Sequence, residues 1–282
     1  MDKKENVLTI LSLGCGVQSS VIAEKIIVGE YEPVDHVIFA DTGNEPKYVY
    51  RQYKYLADKL IKAGFPVSKV MKNKGLIRGM FEPDTRFATI PAYTLSLDHK
   101  KGRMRRQCTS EYKIAPIEKL IRELMLERGY AKRTKAGGIY INKKYGATIQ
   151  LGITLDESQR MKDNPIPFLT NTWPLIDNRM TRLDCVNWLN DMGIPVPGKS
   201  SCIICPYHSR RAWLQMKEER MDDFDQAVEI DEFLRKPNKI SAVMKADMFL
   251  YRDCVPLAKA DLEGDQSQDD FFDLCEEGYC FV

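Results

Sequence analysis

Apolar and polar positions alternate in blocks along the first 70 residues, and the blocks switch between strand and helix patterns. Short runs rich in leucine and β-branched residues at 7–13, 34–40 and 67–71 are typical of buried strands. Between them, 18–28 and 45–63 repeat apolar residues every three or four positions, as amphipathic helices do. The strand–helix–strand–helix–strand order predicts a parallel sheet with right-handed crossovers.

The same pattern continues along the rest of the chain. It predicts a further buried strand at 147–153 and helices at 114–127, 181–192 and 221–234. Residues 132–144 are basic and contain two adjacent glycines, which indicates an exposed hairpin or insertion. We therefore expect an α/β fold, a parallel sheet flanked by helices, with a cysteine-bearing C-terminal extension.

Composition excludes several classes of protein. The chain has 282 residues, 44% of them hydrophobic and 29% charged, which is typical of a globular protein that can bury a core. No apolar run approaches the ~20 residues that a membrane span requires. The first residues mix acids and bases, and the apolar run after them stops at glycines, so no secretory signal is predicted. We expect a soluble cytoplasmic protein with no membrane partner.

Charge is distributed unevenly along the chain. Eight acidic residues and no Lys or Arg occur in 261–282, so the other 260 residues carry 42 bases and 32 acids, a formal +10. Two basic clusters occur, one at 100–106 and one on the 132–144 segment, the latter with Tyr140 and Tyr145. Such clusters suit an anionic ligand or a nucleic acid, and solvated surface is the alternative.

A glycine-containing loop, Ser12-Leu13-Gly14-Cys15-Gly16-Val17-Gln18-Ser19-Ser20, joins the first predicted strand to the first helix. Glycines let the backbone approach an anion, and the helix start supplies amide groups and a positive dipole end. The spacing matches neither G-x-G-x-x-G nor G-x4-G-K-[ST]. On spacing alone, a phosphate site and a plain strand–helix turn both remain open.

Two further segments end strands at the same predicted edge of the sheet, where ligands of open α/β sheets bind. The first is Asp41-Thr42-Gly43, and the second runs from Gly152 to Arg160. Arginine suits bidentate phosphate contact, and Glu157 lies three residues before Arg160. An i,i+3 pair on a helix surface is the alternative explanation of these two residues.

Eight cysteines in a chain without an export signal favour metal or redox chemistry over disulfides. Cys202 and Cys205 form a C-x2-C pair followed by proline, a spacing that lets two thiolates reach one metal centre. Cys108 is the expected third ligand. His208 could complete a tetrahedral Zn²⁺ site, or it could be a surface side chain. Three further cysteines are expected to be structural: Cys15, Cys185 and Cys254.

The loop from Ser12 to Ser20 resembles the S-x-G-x-x-S-S loop of the pyrophosphatase-loop (PP-loop), or adenine nucleotide α-hydrolase, superfamily. Residues 152–160 resemble its G-[IL]-x3-E-x2-R segment, and the whole chain looks like the phosphoadenosine phosphosulfate (PAPS) reductase-like family of bacteria and phages. The resemblance implies a Rossmann-like (HUP-type) fold that binds ATP or an adenylyl sulfonucleotide, which Mg²⁺ can accompany. The implied nucleotide-binding residues are Ser12, Gly14, Gly16, Gln18, Ser19, Ser20, Asp41, Thr42, Gly43, Gly152 and Arg160. Glu157 would orient Arg160 or bind a metal, and ATP-splitting members usually carry Asp where this chain has Gln18.

Residues 105–116 resemble the R-x-C-C-x2-[RK]-K-x2-P segment of iron–sulfur sulfonucleotide reductases, in which two adjacent cysteines and a later C-x2-C hold a [4Fe-4S] cluster. Thr109 replaces the second cysteine, so Cys108, Cys202 and Cys205 would hold a cluster with one open iron, as in tRNA thiolases. Those reductases carry a mobile catalytic cysteine near the C-terminus, where this chain has Cys280, five residues after Cys275. The implied substrate and phosphate contacts are Arg103, Arg105, Arg106 and Lys113.

Three hypotheses follow from these resemblances. The first is an ATP-dependent, pyrophosphate-releasing sulfur transfer to tRNA, DNA or a nucleotide, with a cysteine desulfurase as sulfur donor and Arg160, Glu157 and Cys280 in catalysis. The second is a thioredoxin-dependent reductase of PAPS or adenylyl sulfate, and the third is a non-catalytic binding module with structural Zn²⁺. Beside a metal site, the basic clusters favour nucleic acid as much as solvated surface. We expect a nucleotide-binding domain with the metal site in residues 1–217 and a helical extension with an acidic tail in 218–282.

Overall fold

The computed structural model describes residues 5–72, 74–81, 90–236 and 246–264. Cys275 and Cys280 lie outside these ranges. The strands are β1 (Glu5–Ser12), β2 (His36–Asp41), β3 (Val67–Met71), β4 (Tyr93–Ser96), β5 (Lys101–Arg103), β6 (Ala131–Arg133), β7 (Ile139–Ile141), β8 (Tyr145–Gln150), β9 (Leu169–Thr172) and β10 (Ala246–Phe249). The α-helices are α1 (Val17–Ile27), α2 (Lys47–Lys62), α3 (Leu76–Phe81), α4 (Ala115–Glu127), α5 (Pro174–Asp177), α6 (Arg182–Asp191), α7 (Arg210–Glu219) and α8 (Met221–Arg235). No helix within the described ranges has both the length and the apolar composition that crossing a membrane requires.

A five-stranded parallel sheet forms the centre of the fold, in the order β3-β2-β1-β8-β9. Ile10 of the central strand is in register with His36 on one side and Ile149 on the other. All five strands run in the same direction, so their carboxyl ends meet at one edge of the sheet. This strand order and the helices that cover the sheet confirm the expected Rossmann-like (HUP-type) α/β fold.

The two faces of the sheet bury separate sets of side chains because successive residues of a strand point in opposite directions. On one face, Leu11 and Phe39 pack with the helices α1, α2 and α6. On the other face, Ile10 and Ile38 pack with α4, whose buried residues include Ile121. Both faces are covered, as is typical of a parallel sheet.

A third hydrophobic cluster joins the middle and the C-terminal part of the chain. β10 pairs antiparallel with β4, and β4 with β5. α7 and α8 pack beside this small sheet, where Trp213 is fully buried. The carboxylate of Asp231 on α8 accepts hydrogen bonds from the amides of Leu250 (2.7 Å) and Leu257 (2.8 Å), and it pairs with Arg235 at 2.8 Å.

The structure differs from the sequence prediction mainly in short and half-exposed elements. The strand at 67–71 has the predicted bounds, and the long helices end within a few residues of the predicted positions. β4, β5 and β9 were not predicted, because strands of three or four residues that are mostly exposed or half-exposed carry little apolar periodicity. The helix α7 was not predicted either, although it buries Trp213 and Met216 at helical spacing. The basic segment forms the antiparallel hairpin β6–β7.

Replacing Asp231 with alanine is expected to destabilise the protein by about 3–5 kcal/mol, because two buried amides and the Arg235 guanidinium lose their acceptor. Urea denaturation followed by far-UV circular dichroism measures this loss. Asp225→Ala, an exposed acid of the same helix, is the control and should change stability by less than about 0.5 kcal/mol. Equal effects of the two variants would show that Asp231 does not hold β10 to α8.

Candidate functional site

The loop between β1 and α1 lies at the carboxyl ends of the strands and is stabilised by hydrogen bonds of Ser19. Gly16 is the N-cap residue of α1, and the Gly14 amide donates to Ser19 Oγ at 3.1 Å. The Ser19 hydroxyl in turn donates to the Gly16 carbonyl at 3.4 Å, and Ser20 Oγ accepts from Gln52 Nε2 at 3.2 Å. The start of α1 has amides that the helix itself does not use, and such a start is an anion site.

Gly152 follows β8 and presses directly on this helix start. A Cβ at position 152 would lie 2.8 Å from the Ser19 nitrogen and 3.2 Å from the Gln18 carbonyl carbon. A Cβ on Gly16 would lie 2.8 Å from Ser200 Oγ, in the segment that leads to Cys202. Glycine at 16 and 152 therefore lets three loops meet at the start of α1.

Glu157 and Arg160 form a buried ion pair rather than a helix-surface pair. They lie in the 3₁₀-helical segment Leu155–Arg160, and each is less than a tenth exposed. One carboxylate oxygen of Glu157 accepts from an Arg160 guanidinium nitrogen, and the other accepts from Gln18 Nε2 at 3.2 Å. Gln18 Oε1 also accepts from Arg182 at 3.4 Å, so a glutamine links both arginines to the helix start.

The carboxylate of Asp41, at the end of β2, is occupied by contacts within the protein. It accepts from the Gly43 amide (2.7 Å) and the Tyr50 hydroxyl (2.8 Å), and it pairs with Lys69 at 3.3 Å. Gly43 has a φ of +73° and lies against Gly75, so the turn after β2 is tight. Asp41 therefore orders this turn, and Thr42, which follows it, faces the cysteines.

Cys108, Cys202 and Cys205 line one cavity of about 410 Å³ at this edge of the sheet, which we call the thiol cavity. Thr42, Arg106 and Lys113 supply its polar wall. As the side chains stand, no three His, Cys, Asp or Glu groups of the described residues are close enough to hold a metal ion. The fold nonetheless brings Cys108 together with Cys202 and Cys205, which follow it by almost a hundred residues in the sequence, around one cavity. Iron–sulfur clusters are held by cysteine thiolates, so the donors that line this cavity fit such a cluster in kind.

Asn44 fixes the C-x2-C loop to the sheet. Its backbone carbonyl accepts from the Ile203 amide at 2.9 Å, and its side-chain oxygen accepts from the Ile204 amide at 3.1 Å. Its side-chain amide donates to Gln226 of α8 at 3.1 Å. The sequence analysis did not identify Asn44, although it directly follows the Asp41-Thr42-Gly43 segment.

Glu45 is a second residue that sequence analysis missed, and it lies behind the wall of the thiol cavity. Its carboxylate oxygen Oε1 accepts from the Thr42 hydroxyl at 3.0 Å, lies 3.6 Å from Cys202 Sγ and pairs with Lys113 Nζ at 3.5 Å. Burial raises the pKa of the Cys202 thiol well above its ordinary value, the Glu45 charge adds to this shift, and Lys113 opposes it. The same three influences act on the pKa of Cys15 in the first loop, in the same directions.

Lys113 connects the thiol cavity with a second cavity. It is nine-tenths buried and lines both spaces. The second space, about 430 Å³, lies over the ends of β1, β8 and β9 and begins at Ser12; we call it the sheet-edge cavity. The first loop and the three cysteines therefore adjoin through the side chain of Lys113.

The arginines before Cys108 surround one aromatic ring. The guanidinium groups of Arg103 and Arg106 lie 5.6 and 5.2 Å from the centre of the Tyr207 ring, and Arg105 is exposed. Tyr207 directly follows the C-x2-C-Pro sequence. This basic cluster therefore lies at the mouth of the thiol cavity, as its place in the sequence predicted.

The hairpin β6–β7 lies at the end of the sheet opposite the thiol cavity. α4 carries the chain away from the site, and the Glu5 amide at the start of β1 donates to the Lys144 carbonyl at 3.0 Å. The length of β8 then separates the hairpin from the carboxyl ends of the strands by roughly 20 Å. A small ligand at the thiol cavity therefore meets the 100–106 cluster and not the hairpin.

His208 is buried and is not a surface side chain, which corrects that alternative. Its Nε2 lies 3.0 Å from the Cys202 carbonyl oxygen, and its ring packs edge-on against Trp213. Burial lowers the pKa of His208 to about 3, with a smaller effect of Lys199 in the same direction. The neutral ring therefore supports the C-x2-C loop from behind, and it does not line the thiol cavity.

The cysteines expected to be structural are buried, and the catalytic candidate is not described. Cys15, Cys185 and Cys254 are each at most 5% exposed. Cys15 has a φ of +58° within the first loop, a left-handed conformation that is rare for residues other than glycine. Cys280 lies outside the described residues, so its role stays a prediction.

No protein-family model and no curated protein matches the chain. Among solved structures, it is similar to a phosphoadenylyl-sulfate (PAPS) reductase from Candida auris in complex with phosphate, at 13% identity over 67% of this chain and 75% of that one, with a TM-score of 0.41. It is also similar to the U34-tRNA thiolase NcsA from Methanococcus maripaludis with its [4Fe-4S] cluster, at 11% identity over 93% and 82%, with a TM-score of 0.40. Likeness at this level carries no inference about activity, and the assignment of the fold rests on the strand order of the sheet.

Gly152→Ala is expected to weaken ATP binding about tenfold, because the new methyl group must displace the Ser19 backbone at the start of α1. Isothermal titration calorimetry with ATP measures the change. Gly138→Ala, in the hairpin, places its methyl group in ordinary contact with Thr134 and should bind ATP as the unmodified protein does. Unchanged affinity in a folded Gly152→Ala protein would exclude the start of α1 as the phosphate site.

Asn44→Ala is expected to free the C-x2-C loop, since the buried Ile204 amide loses its acceptor at a cost of about 1–3 kcal/mol. Alkylation of Cys202 by iodoacetamide, followed by mass spectrometry, should become about tenfold faster. Asn178→Ala, which removes an exposed side-chain hydrogen bond to Pro174, is the matched control and should leave the rate unchanged. An equal rate in both variants would mean that other contacts hold the loop.

Proposed function

We propose that this protein is a PP-loop, PAPS reductase-like enzyme that uses ATP to activate an oxygen of a nucleotide or nucleic acid and then replaces that oxygen with sulfur. The observation that supports this best is the position of Lys113, which lines both the thiol cavity and the cavity that begins at the first loop. An enzyme of this kind has to bring an activated phosphate and a sulfur source to one substrate atom. Lys113 marks the place where the two halves of such a reaction would meet.

The first step is adenylylation of the acceptor. Its carbonyl or phosphate oxygen attacks the α-phosphorus of ATP, a new P–O bond forms, the bond to the β-phosphate bridging oxygen breaks, and pyrophosphate leaves. The amides at the start of α1 and Arg160 would bind the charge that develops on the leaving group. Glu157 would keep Arg160 oriented through their buried ion pair, as one of the two roles expected for it.

The contacts of Glu157 do not fit its other expected role as a magnesium ligand. Its two oxygens are bonded to Gln18 and Arg160, and coordination of a metal would require that pair to break. The neutral Gln18 side chain replaces the second carboxylate that a magnesium site would use. No step of the proposed reaction therefore uses Mg²⁺.

The second step transfers sulfur. A hydrosulfide ion attacks the carbon or phosphorus that bears the adenylylated oxygen. It is supplied as inorganic sulfide, or a thiol reductant releases it from the persulfide of a donor such as a cysteine desulfurase and is oxidised to a disulfide. A bond to sulfur forms, the bond to oxygen breaks, AMP leaves, and the sulfur loses its proton to solvent. A [4Fe-4S] cluster held by Cys108, Cys202 and Cys205 would supply an iron without a protein ligand at which sulfide can be held. Lys113 and Arg106, in the cavity wall, would attract the anionic sulfur species and the AMP phosphate.

The cluster is tested by anaerobic purification of the wild-type protein, with iron, sulfide and zinc analysis and an absorption spectrum. We expect iron and sulfide in equal amounts and a broad band near ~400 nm. Cys202→Ala should lose both, whereas Cys254→Ala, which removes a buried thiol outside the cavity, should keep them. A colourless protein that contains zinc would overturn the cluster and favour a structural metal.

The reaction is tested with ATP, radioactive sulfide and either a mixed tRNA pool or single-stranded DNA. We expect acceptor-dependent release of pyrophosphate and sulfur incorporated into the acceptor. Lys113→Ala should lower the sulfur incorporated per pyrophosphate released, because its ammonium group adjoins both cavities. Sulfite release that depends on thioredoxin and PAPS or adenylyl sulfate would instead establish a reductase, and ATP binding without any product would leave a binding module.

A further inference from the structure

The sheet-edge cavity is a second built space beside the thiol cavity, and none of the roles above uses its far wall. Three isoleucines, at positions 114, 117 and 149, and Leu151 form its apolar surface. The polar groups are Ser12 and Lys113 at the end toward the first loop, and Glu118, Asn164 and Asn171. A cavity with mostly apolar walls and a few polar groups is typical of a small-molecule site.

The polar groups are positioned by contacts within the protein. The Asn164 side-chain amide donates to Asn171 Oδ1 at 3.1 Å, and the Asn171 amide donates to the Lys162 carbonyl at 2.9 Å. Asn164 Oδ1 accepts from the Ile166 amide at 3.0 Å. Each carboxamide nitrogen carries two hydrogens, and each of these nitrogens donates one hydrogen bond. Asn164 and Asn171 therefore each keep one N–H group for a ligand. Glu118, on the first turn of α4, supplies a carboxylate that accepts hydrogen bonds, whereas the two asparagines supply donors.

We propose that the sheet-edge cavity binds the base of the sulfur-accepting nucleotide, and that this base carries a ring N–H beside an exocyclic carbonyl oxygen, as uracil and guanine do. The inference rests on the proposed function. The Glu118 carboxylate would accept from the ring N–H, and a carboxamide of the asparagine pair would donate to an exocyclic oxygen. The isoleucines and Leu151 would contact the faces of the ring.

The position and the lining of this cavity support a base rather than a phosphate, because its apolar walls do not suit a phosphate group. Lys113 lies at the end shared with the thiol cavity, so a base seated here presents one edge to the place where phosphate and sulfur chemistry meet. Burial raises the pKa of Glu118, and Arg122 opposes this.

Adenine and cytosine are the discriminating controls, because neither has a ring N–H beside an exocyclic carbonyl oxygen. Wild-type protein saturated with ATP should therefore bind UMP and GMP at least tenfold more tightly than CMP and AMP in equilibrium dialysis. Glu118→Gln, which keeps the size of the side chain, should weaken UMP and GMP binding about tenfold. Leu151→Phe should weaken it by filling the cavity, and Glu127→Gln, at the far end of α4, should have no effect.

Three results would overturn this assignment. Competition between ATP and UMP or GMP, together with weaker ATP binding by Glu118→Gln, would mean that the cavity holds the adenine of ATP. Equal binding of all four monophosphates would mean that the polar groups do not read the base. Absence of UMP and GMP binding in a protein that still releases pyrophosphate with an acceptor would place the base elsewhere, while the proposed function would stand. Loss of pyrophosphate release itself would count against the proposed function and not specifically against the cavity.

Discussion

The hydrogen bonds of Asn44 to the C-x2-C loop are the contacts on which the thiol cavity depends. Backbone amides of the loop are buried, and a buried amide without an acceptor costs more than an ordinary hydrogen bond is worth. Asn44 provides two acceptors from one residue, and its own amide reaches α8. The turn that places Asn44 is in turn ordered by Asp41, through Gly43, Tyr50 and Lys69. The thiols at 202 and 205 are thus positioned by the end of β2.

The same turn sets the electrostatics of the cavity. Glu45 and Lys113 are both buried, and their pairing at 3.5 Å offsets the cost of removing each charge from water. The pair is neutral in sum, so the net positive charge at the site comes from the arginines beside Tyr207 and from the start of α1. These are the groups that an anionic ligand would meet first.

The elements with long apolar periodicity could be predicted from sequence, and those defined by tertiary contact could not. The helices α2 and α6 bury residues at helical spacing, as Leu56 and Leu60 show in α2, so their pattern carries the information. β9 is four residues long with three polar positions, and it becomes a strand only because β8 lies beside it. Cys108 could be grouped with Cys202 and Cys205 by resemblance, but Asn44 and Glu45 have no signal apart from their closeness to the Asp-Thr-Gly segment.

The position of the basic hairpin shows a signal that was present in the sequence but not used. α4 has 13 residues, which at 1.5 Å each carry the chain about 20 Å, the length of a strand of the sheet. A helix that begins at the site edge must therefore deliver the next segment to the opposite edge. Basic residues on either side of such a helix therefore cannot contact the same small ligand, however close they are in sequence.

The neutral side chain of Gln18 limits the negative charge near the start of α1. Its side-chain amide lies 3.2 Å from Glu157, so an aspartate at this position would bring a second carboxylate near a buried first one. Two neighbouring buried carboxylates favour a proton or a cation between them. Glutamine removes the second charge, donates to Glu157 and accepts from Arg182, which leaves Arg160 as the counter-ion of Glu157. In the proposed reaction, the charge of the leaving pyrophosphate would then be met by the amides of α1 and by arginine side chains, and Gln18, between Glu157 and Arg182, holds these groups at the loop between β1 and α1.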